Sequence, residues 1–165
     1  MGIDIFKKMV AKSDVVVENF RKGTLERLGI GYEELKKINP KIILCEISGY
    51  GRTGPYANKG GFDLVAQGAS GLMSITGESK EKPPMKVGAP LTDITAGILG
   101  ATGVLAALIN REKTGLGQKV DTSLFEAGII HTYWQSAIAG ATGSSPGPLG
   151  SCLLYTSDAA DDPTC

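Results

Sequence analysis

Two short apolar runs, joined by helical segments, constrain the fold of this chain more than any other feature. The runs are Val15–Val17 and residues 41–47, and both are typical of buried strands because they are short and rich in branched aliphatic residues. Between them, residues 24–28 and 32–38 have helical spacing, and Pro40 closes the second segment. A strand, a helical connection and another strand predict a parallel βαβ unit, so the expected fold class is α/β.

The rest of the chain continues the alternation of helices, loops and strands. Helical patterns cover residues 1–12, 62–73, 92–113 and 124–139, loops cover 49–61 and 77–90, and a further strand is predicted at 119–123. The longest uncharged run, residues 94–110, falls short of the ~18 apolar residues that suggest a membrane span. It also carries Thr95 and Thr102. We therefore interpret this run as a buried core helix.

Composition places the chain among ordinary folded proteins. Hydrophobic residues make up 42% of the 165 residues and charged residues 21%, which excludes an intrinsically disordered chain. The formal net charge of +0 gives no reason to expect nucleic acid as a partner. The 23 glycines are about twice the usual share and predict many turns and close backbone approaches. No targeting signal is evident.

The last residues, 152–165, resemble a translated sequencing adaptor, so the domain is expected to occupy residues 1–151. This tail contains three aspartates and no Lys or Arg. The remaining chain has 17 basic and 14 acidic residues, a balance mildly suited to an anionic ligand. The tail also holds two of the three cysteines. Because Cys45 alone forms neither a disulfide framework nor a zinc site, a reducing, cytoplasmic compartment is expected.

One glycine-rich motif invites a dinucleotide-binding interpretation. Residues 49–54, Gly-Tyr-Gly-Arg-Thr-Gly, match G-x-G-x-x-G directly after a predicted strand. In a dinucleotide-binding turn, the third glycine opens a helix whose N-terminus meets the pyrophosphate. Residues 55–61 instead have the composition of a loop. The motif therefore favours a structural loop over a nicotinamide site.

Two aspartates allow a structural and a catalytic interpretation. Thr92 or Asp93 stands where the N-cap of the long helix belongs, and composition alone favours that capping role. The alternative is that Asp93 is a carboxylate nucleophile, kept ionised by the helix N-terminal amides, which would also stabilise developing negative charge. Asp63 likewise begins a predicted helix, and its alternative role is that of a partner to a reacting carboxylate.

Polar and aromatic residues follow the first predicted strand. Residues 18–21 read Glu-Asn-Phe-Arg, and Arg27 follows six residues later. An amide, an aromatic face and two guanidiniums at the carboxyl edge of a parallel strand suit a nucleotide with phosphates. This segment is therefore a candidate nucleotide site.

The last predicted helix carries no clear catalytic signal. His131 has no Cys or carboxylate at ligand spacing, so we interpret it as a satisfied helix residue. Tyr133 and Trp134 are interpreted as core residues. Glu126 is interpreted as a residue that caps or charges the first helical turn.

A set of short motifs along the chain occurs in a familiar order. They are residues 14–21 (DVVVENFR), 25–32 (LERLGIGY), 38–42 (INPKI), 48–55 (SGYGRTGP), 61–67 (GFDLVAQ), 70–73 (SGLM), 76–78 (TGE), 93–97 (DITAG), 105–108 (LAAL) and 114–121 (TGLGQKVD). Each motif is weak alone, but the ordered set is highly specific. From its start to about Ala139, the chain resembles the family III CoA-transferases, the CaiB/BaiF family. That family also includes formyl-CoA transferase, carnitine-CoA transferase and α-methylacyl-CoA racemase.

The resemblance implies a fold and a set of site residues. The fold is part of a Rossmann-like, parallel-sheet large domain that lacks the opening βα unit and the smaller second domain of the family. The nucleophilic aspartate of the family corresponds to Asp93, and Asp63 falls where members carry an acidic residue near the nucleophile. The CoA-contacting residues correspond to Asn19, Phe20, Arg21, Arg27, Leu28, Lys59, Gly60, Gly61 and Phe62.

Two positions depart from the family pattern. Lys22 replaces a usual proline, which affects loop rigidity only. Phe62 stands where the racemase branch has its histidine base, so racemisation lacks one partner. An acyl-CoA racemase, and a non-catalytic fragment that at most binds CoA, are the alternatives to a transferase.

The implied reaction moves CoA between carboxylic acids through a covalent aspartyl intermediate. Asp93 would attack the donor thioester to form a mixed anhydride, and the returning thiolate would give an aspartyl-CoA thioester. The resemblance implies no metal and no tightly bound cofactor, since coenzyme A enters as a thioester substrate. The implied partners are an acyl-CoA and a carboxylic acid, with neither nucleic acid nor membrane. The full-length protein is expected to be an interlocked homodimer.

Overall fold

The computed structural model describes residues 2–148 and residue 150, so the adaptor-like segment 152–165 lies outside the described residues. Its elements in chain order are α1 (Gly2–Val10), β1 (Val15–Glu18), α2 (Thr24–Arg27), α3 (Tyr32–Ile38), β2 (Ile43–Ser48), α4 (Asp63–Ala69), a 3₁₀ turn (Leu72–Ile75), α5 (Leu91–Thr114), β3 (Lys119–Ser123) and α6 (Leu124–Thr142). Helices and strands alternate along the chain, which confirms the α/β fold class.

The three strands form a parallel sheet with β2 in the centre. Val15 of β1 pairs with Ile43 of β2, which confirms the predicted βαβ unit. The register places Glu18 beside Glu46, and Glu46 beside Asp121 of β3. Because the strands are parallel, the segments that follow them all start at one edge of the sheet.

One face of the sheet is covered by α1 and α3. Val10 of α1 and Leu35 of α3 pack together with Ile42 and Leu44, and each of these four residues is at most 1% exposed. Fully burying one such side chain contributes about 1.5–3 kcal/mol. This burial explains why residues 41–47 form a nearly continuous apolar run.

The opposite face is covered by α5, which approaches the sheet through small residues. A Cβ on Gly100 would lie 3.2 Å from the Sγ of Cys45, and a Cβ on Gly103 would lie 2.5 Å from Cγ1 of Val120. Glycine at position 103 therefore lets the helix backbone rest directly on β3. This close approach positions the first turn of α5 at the carboxyl edge of the sheet.

The apolar run 94–110 is not the buried core helix that the sequence predicts. Its apolar face, Ile94, Ile98, Leu105 and Ile109, is 50–63% exposed. By length and composition α5 could cross a membrane, but in the structure its other face packs on β2 and β3. The prediction is wrong because apolar residues occupy both faces of this helix, so their pattern does not show which face is covered.

Two other helices also differ from expectation. The helix predicted over residues 62–73 is interrupted where Gly71 adopts a φ of 86°, and the chain continues as the 3₁₀ turn. α6 reaches Thr142, but the backbone of Tyr133 (φ 34°, ψ −115°) breaks its regularity. Tyr133 and Trp134 are 76% and 52% exposed, so the expectation that they are core residues is wrong.

The interpretations of Glu126 and His131 are confirmed. The Oγ of Ser123 accepts the main-chain N–H of Glu126 at 3.1 Å and donates to its carboxylate at 2.8 Å. This reciprocal pair is a capping box at the start of α6. The Nε2 of His131 lies 2.7 Å from the Oγ1 of Thr95, so the imidazole has a hydrogen-bond partner in α5.

Candidate active site

The carboxyl edge of the sheet opens on a cavity of about 780 Å³. The cavity lies where the segments after β1 and β2 meet the first turns of α4, α5 and α6. Its lining residues are Asn19, Ile47, Ser48, Gly49, Gly61, Phe62, Asp63, Leu64, Lys86, Asp93 and Leu124. Open parallel sheets bind their ligands at this edge. We therefore take this cavity as the candidate active site.

The loop between β2 and α4 forms one wall of the cavity, and its two ends touch. A Cβ on Gly49 would lie 2.7 Å from both the Cα and the N of Gly61, so the main chains meet directly. Gly51 and Gly54 adopt φ values of 83° and 82°, a region that favours glycine. α4 begins only at Asp63. The third glycine of the G-x-G-x-x-G motif therefore opens no helix, which confirms the structural-loop interpretation.

Asp93 lies in the first turn of α5. The helix begins at Leu91 with Pro90 in the N-cap position, so the interpretation of Thr92 or Asp93 as the N-cap is wrong. Within residues 2–148, the Asp93 carboxylate has no hydrogen bond, and the residue is exposed. Its carboxylate is thus free to meet a ligand in the cavity.

Asp63 caps α5 from a neighbouring helix. Its Oδ1 accepts hydrogen bonds from the main-chain N–H of Thr92 at 2.9 Å and from the Oγ1 of Thr92 at 2.7 Å. Its Oδ2 accepts a hydrogen bond from the Nε2 of Gln67 at 2.8 Å. Both oxygens are therefore occupied in holding the turn that carries Asp93. The direct catalytic role of Asp63 implied by the family resemblance stays a prediction.

Gln67 organises the cavity wall, and the sequence analysis missed it. The residue is 0% exposed. Besides donating to Asp63, it accepts the main-chain N–H of Val87 through Oε1 at 2.8 Å. One buried amide thus joins α4 to the loop that carries Lys86, a second residue that the analysis missed. The i, i+4 spacing of Asp63 and Gln67 on one helix was the only available signal.

Burial and charge set the pKa values of the two carboxylates apart. Burial raises the pKa of Asp93, and the negative charge of Asp63 raises it further. Burial also acts to raise the pKa of Asp63, but hydrogen bonds from Thr92, Gln67 and the main chain outweigh it and hold the pKa below its usual value. Two neighbouring carboxyls with separated pKa values are typical of active sites.

The structure brings part of the predicted CoA-contacting set to the cavity. Its members in the cavity lining are Asn19, Gly61 and Phe62. Arg21 lies next to Gly60, because a Cβ on Gly60 would be 3.3 Å from its Nη2. Phe20 and Phe62 are 55% and 75% exposed. Exposed aromatic rings and a guanidinium therefore flank the cavity mouth.

The other predicted contacts lie outside the cavity lining. The Nζ of Lys59 sits 3.8 Å from the ring centroid of Tyr56, a cation–π contact. Arg27 donates to the Oγ1 of Thr24 at 3.4 Å, and Leu28 is 44% exposed. The structure does not bring these three side chains to Asp93.

The described residues offer no metal site. Within residues 2–148 and 150, no group of three or more His, Cys, Asp or Glu side chains is placed to hold a metal ion. Cys45 is free and buried. Burial raises the pKa of its thiol, and the charges of Glu18 and Glu46 raise it further. Cys45 is therefore an unreactive core residue.

Comparison with known proteins decides the family. The sequence profile described as CoA-transferase family III matches residues 1–159. The chain belongs to CoA-transferase family III. An "Acyl-CoA transferase" of Fusarium pseudograminearum is 49% identical over 125 residues, which cover 76% of this chain and 27% of the relative. An "Acetyl-CoA:oxalate CoA-transferase" of Acetobacter aceti is 41% identical over 152 residues, which cover 92% of this chain and 39% of the relative.

A solved structure of the same family has the same fold. The crystal structure of a CaiB/BaiF family protein from Brucella suis superposes with a TM-score of 0.86 at 41% identity. The match covers 90% of this family III chain and 39% of that protein. The chain therefore spans between about a quarter and two fifths of the lengths of these three relatives.

Proposed function

We propose that the protein containing this chain transfers CoA from an acyl-CoA to a free carboxylic acid, with Asp93 as the nucleophile. One observation carries the proposal: the Asp93 carboxylate faces the cavity without a hydrogen bond in the described part of the chain, whereas both oxygens of Asp63 are engaged. The main-chain amides in the first turn of α5 favour an anion there. The two relatives named for CoA transfer support the same chemistry.

In the first half of the proposed reaction, the donor acid leaves and CoA stays. An oxygen of Asp93 attacks the thioester carbonyl of the donor, and the C–S bond breaks to give a mixed anhydride and CoA thiolate. The thiolate then attacks the aspartyl carbonyl of the anhydride. This step releases the donor as a carboxylate and leaves an aspartyl-CoA thioester.

The second half repeats these steps with the acceptor. The acceptor carboxylate attacks the aspartyl thioester, which gives a second anhydride and CoA thiolate. The thiolate attacks the acceptor carbonyl of that anhydride, so the new acyl-CoA leaves and Asp93 is restored. Anhydride and thioester have comparable activation, so CoA moves without hydrolysis. The proposal needs no tightly bound cofactor, because CoA enters and leaves as a substrate.

Lys86 is our proposed contact for the acceptor acid. It is the cation among the described residues of the cavity lining, which also includes Asp63 and Asp93. The acceptor is an anion that must approach two carboxylates, so a nearby ammonium group lowers the electrostatic barrier. One relative is named for oxalate, a dicarboxylate. We propose a dicarboxylate acceptor, with one carboxylate reacting and the other bound to Lys86.

We further propose that the full-length protein is a homodimer. The apolar face of α5 exposes Ile98, Leu105 and Ile109, and contiguous apolar surface is typical of association sites. Sedimentation equilibrium of the full-length protein tests this proposal. A dimer mass is expected, and a monomer mass at micromolar concentration contradicts it.

The transfer reaction itself is tested with the full-length protein. Incubation with one acyl-CoA and a panel of oxalate, succinate, glutarate and short monocarboxylates should yield the CoA thioester of an added acid, detected by mass spectrometry. Total thioester should stay constant, because no water is consumed. Hydrolysis without transfer contradicts the proposal. Exchange of the α-proton in heavy water, without transfer, would instead support a racemase.

A further inference from the structure

Three acidic side chains stand side by side across the sheet, close to the cavity. The register pairs Glu18 of β1 with Glu46 of β2, and Glu46 with Asp121 of β3. Glu18 and Glu46 are only 6% and 4% exposed. Like charges on adjacent strands repel one another, and more strongly where water is excluded. This acidic row therefore requires cations within the fold.

Arg52, in the loop after β2, contacts all three acids. Its Nη2 forms an ion pair with Oε1 of Glu18, and its Nε lies 3.3 Å from Oε1 of Glu46. Its main-chain N–H donates to Oδ2 of Asp121 at 2.9 Å. Lys119 adds a second cation, with its Nζ 2.5 Å from Oε2 of Glu46. The Arg52 side chain is 10% exposed, so these contacts are largely shielded from solvent.

The Arg52–Glu18 ion pair also holds the main chain of Phe20 from both sides. Oε2 of Glu18 accepts the N–H of Phe20 at 2.7 Å. Nη1 of Arg52 donates to the carbonyl oxygen of Phe20 at 3.0 Å. Phe20 is the middle residue of the segment 19–21, whose side chains we assign to CoA. The ion pair thus joins the glycine-rich loop to that segment.

We propose that Arg52 is a positioning residue for acyl-CoA binding, which acts by fixing the main chain at Phe20 and thereby the directions of Asn19 and Arg21. The inference rests on the proposed CoA-transferase function. A planar guanidinium is needed at this position because it must reach two carboxylates and a carbonyl oxygen at once. A lysine ammonium has the charge but not this fork.

Arg111 provides a matched control at the opposite edge of the sheet. Its Nη2 lies 2.9 Å from Oδ1 of Asp14, and its Nη1 donates to the carbonyl oxygen of Lys41 at 3.2 Å. It therefore also joins a carboxylate and a main-chain carbonyl, in the segments that lead into β1 and β2. Its side chain is 13% exposed, close to the value for Arg52.

Limited proteolysis measures the order of residues 19–22 without any ligand, because Arg21 and Lys22 are trypsin sites. In the full-length protein, Arg52→Gln should speed cleavage after these two residues by about tenfold, since the local opening becomes easier. Arg111→Gln should leave that cleavage rate within about twofold of wild type. An unchanged rate in Arg52→Gln overturns the inference.

Calorimetric titration with acyl-CoA measures the consequence for binding. Arg52→Gln should raise Kd about tenfold to a hundredfold, the effect expected for losing charged hydrogen bonds. The value of kcat should change much less, because Arg52 does not line the cavity beside Asp93. Arg111→Gln should bind acyl-CoA as tightly as wild type. Arg52→Lys keeps the charge but loses the fork, so its Kd should resemble that of Arg52→Gln.

Two outcomes separate this inference from simpler explanations. Wild-type affinity in Arg52→Lys would show that Arg52 acts only by attracting an anionic ligand, and it would overturn the positioning role. An equal rise of Kd in Arg111→Gln would also overturn it. Faster cleavage in Arg52→Gln, together with a wild type that binds no acyl-CoA, would instead remove the proposed function and with it the CoA-binding part of the inference.

Discussion

Asp63 and Asp93 line the same cavity, but the first carboxylate holds the helix turn on which the second one stands. The link is Thr92, whose main-chain N–H and Oγ1 donate to Oδ1 of Asp63 at 2.9 and 2.7 Å. Because Asp63 caps α5 from outside, Asp93 does not have to act as the cap. The geometry therefore separates the structural carboxylate from the one that is free to react.

The hydroxyl of Thr92 should contribute measurably to stability. Thr92 is fully buried, so Thr92→Val keeps the shape but removes a donor from a charged acceptor. We expect a loss of about 1–3 kcal/mol in the free energy of unfolding, measured by urea denaturation. Thr102→Val is the control, because its exposed hydroxyl bonds only to the carbonyl of Ile98 on the same helix. Its effect should stay within about 0.5 kcal/mol, and equal losses in both variants would contradict the capping role of Asp63.

The charge of Asp63 should control the pH dependence of the reaction. Burial raises the pKa of Asp93, and the Asp63 charge raises it further. The attack requires ionised Asp93, so activity falls as the pH drops through this raised pKa. Asp63→Asn removes the repulsion and lowers the pKa of Asp93, so the acidic limb of kcat/KM should move to lower pH. Asp14→Asn, at the other edge of the sheet, should leave the limb in place, and a limb that stays or moves upward in Asp63→Asn contradicts the coupling.

The start of α5 shows where sequence reasoning stops. The pattern of residues 92–113 predicts the helix within one residue at each end. It also suggests a local cap at Thr92 or Asp93, which is wrong. The actual cap is Asp63, which comes from α4 and is distant along the chain. Local patterns describe helices well, because helical hydrogen bonds are local, but a cap supplied by another helix depends on tertiary packing.

The contact between Gly49 and Gly61 should not tolerate a side chain. In Gly49→Ala the new Cβ would lie 2.7 Å from the main chain of Gly61, so the two ends of the loop must separate. We expect a destabilisation of about 1–3 kcal/mol, visible as a lower Tm. Gly140→Ala is the control: its Cβ would meet nothing within 4 Å in α6, and alanine there should stabilise by about 0.5–1 kcal/mol. The same sign for both variants would contradict the close crossing.

Lys86 should determine the affinity for the acceptor acid. Lys86→Met removes the ammonium but keeps an unbranched side chain, so KM for a dicarboxylate acceptor should rise about tenfold to a hundredfold. KM for the acyl-CoA donor should change little. Lys82→Met, in the same loop but outside the lining of this cavity, should leave both constants unchanged. An unaltered acceptor KM in Lys86→Met would assign acceptor binding to other residues.

The residues around the cavity differ in how far the sequence reveals them. Asn19, Asp63 and Asp93 belong to motifs that can be compared with a family, and the structure brings all three to one cavity. Gln67 and Lys86 carry no such signal, because their roles arise from how the loop 77–90 folds onto α4. The exposure of Tyr133 was equally hidden, since an aromatic residue in a helix has the same sequence pattern in a core or on a surface.

The identity of the nucleophile is tested most directly by trapping the covalent intermediate. The full-length enzyme is incubated with acyl-CoA, treated with hydroxylamine, digested, and analysed by mass spectrometry. Asp93→Asn serves as the control, because it retains the shape of the residue but lacks the attacking oxygen anion. The account predicts a hydroxamate on the peptide containing Asp93 in wild type and no label in Asp93→Asn, which should remain folded and lose activity by several orders of magnitude. Full activity in Asp93→Asn, with the label on Asp63 or Glu126, would contradict it.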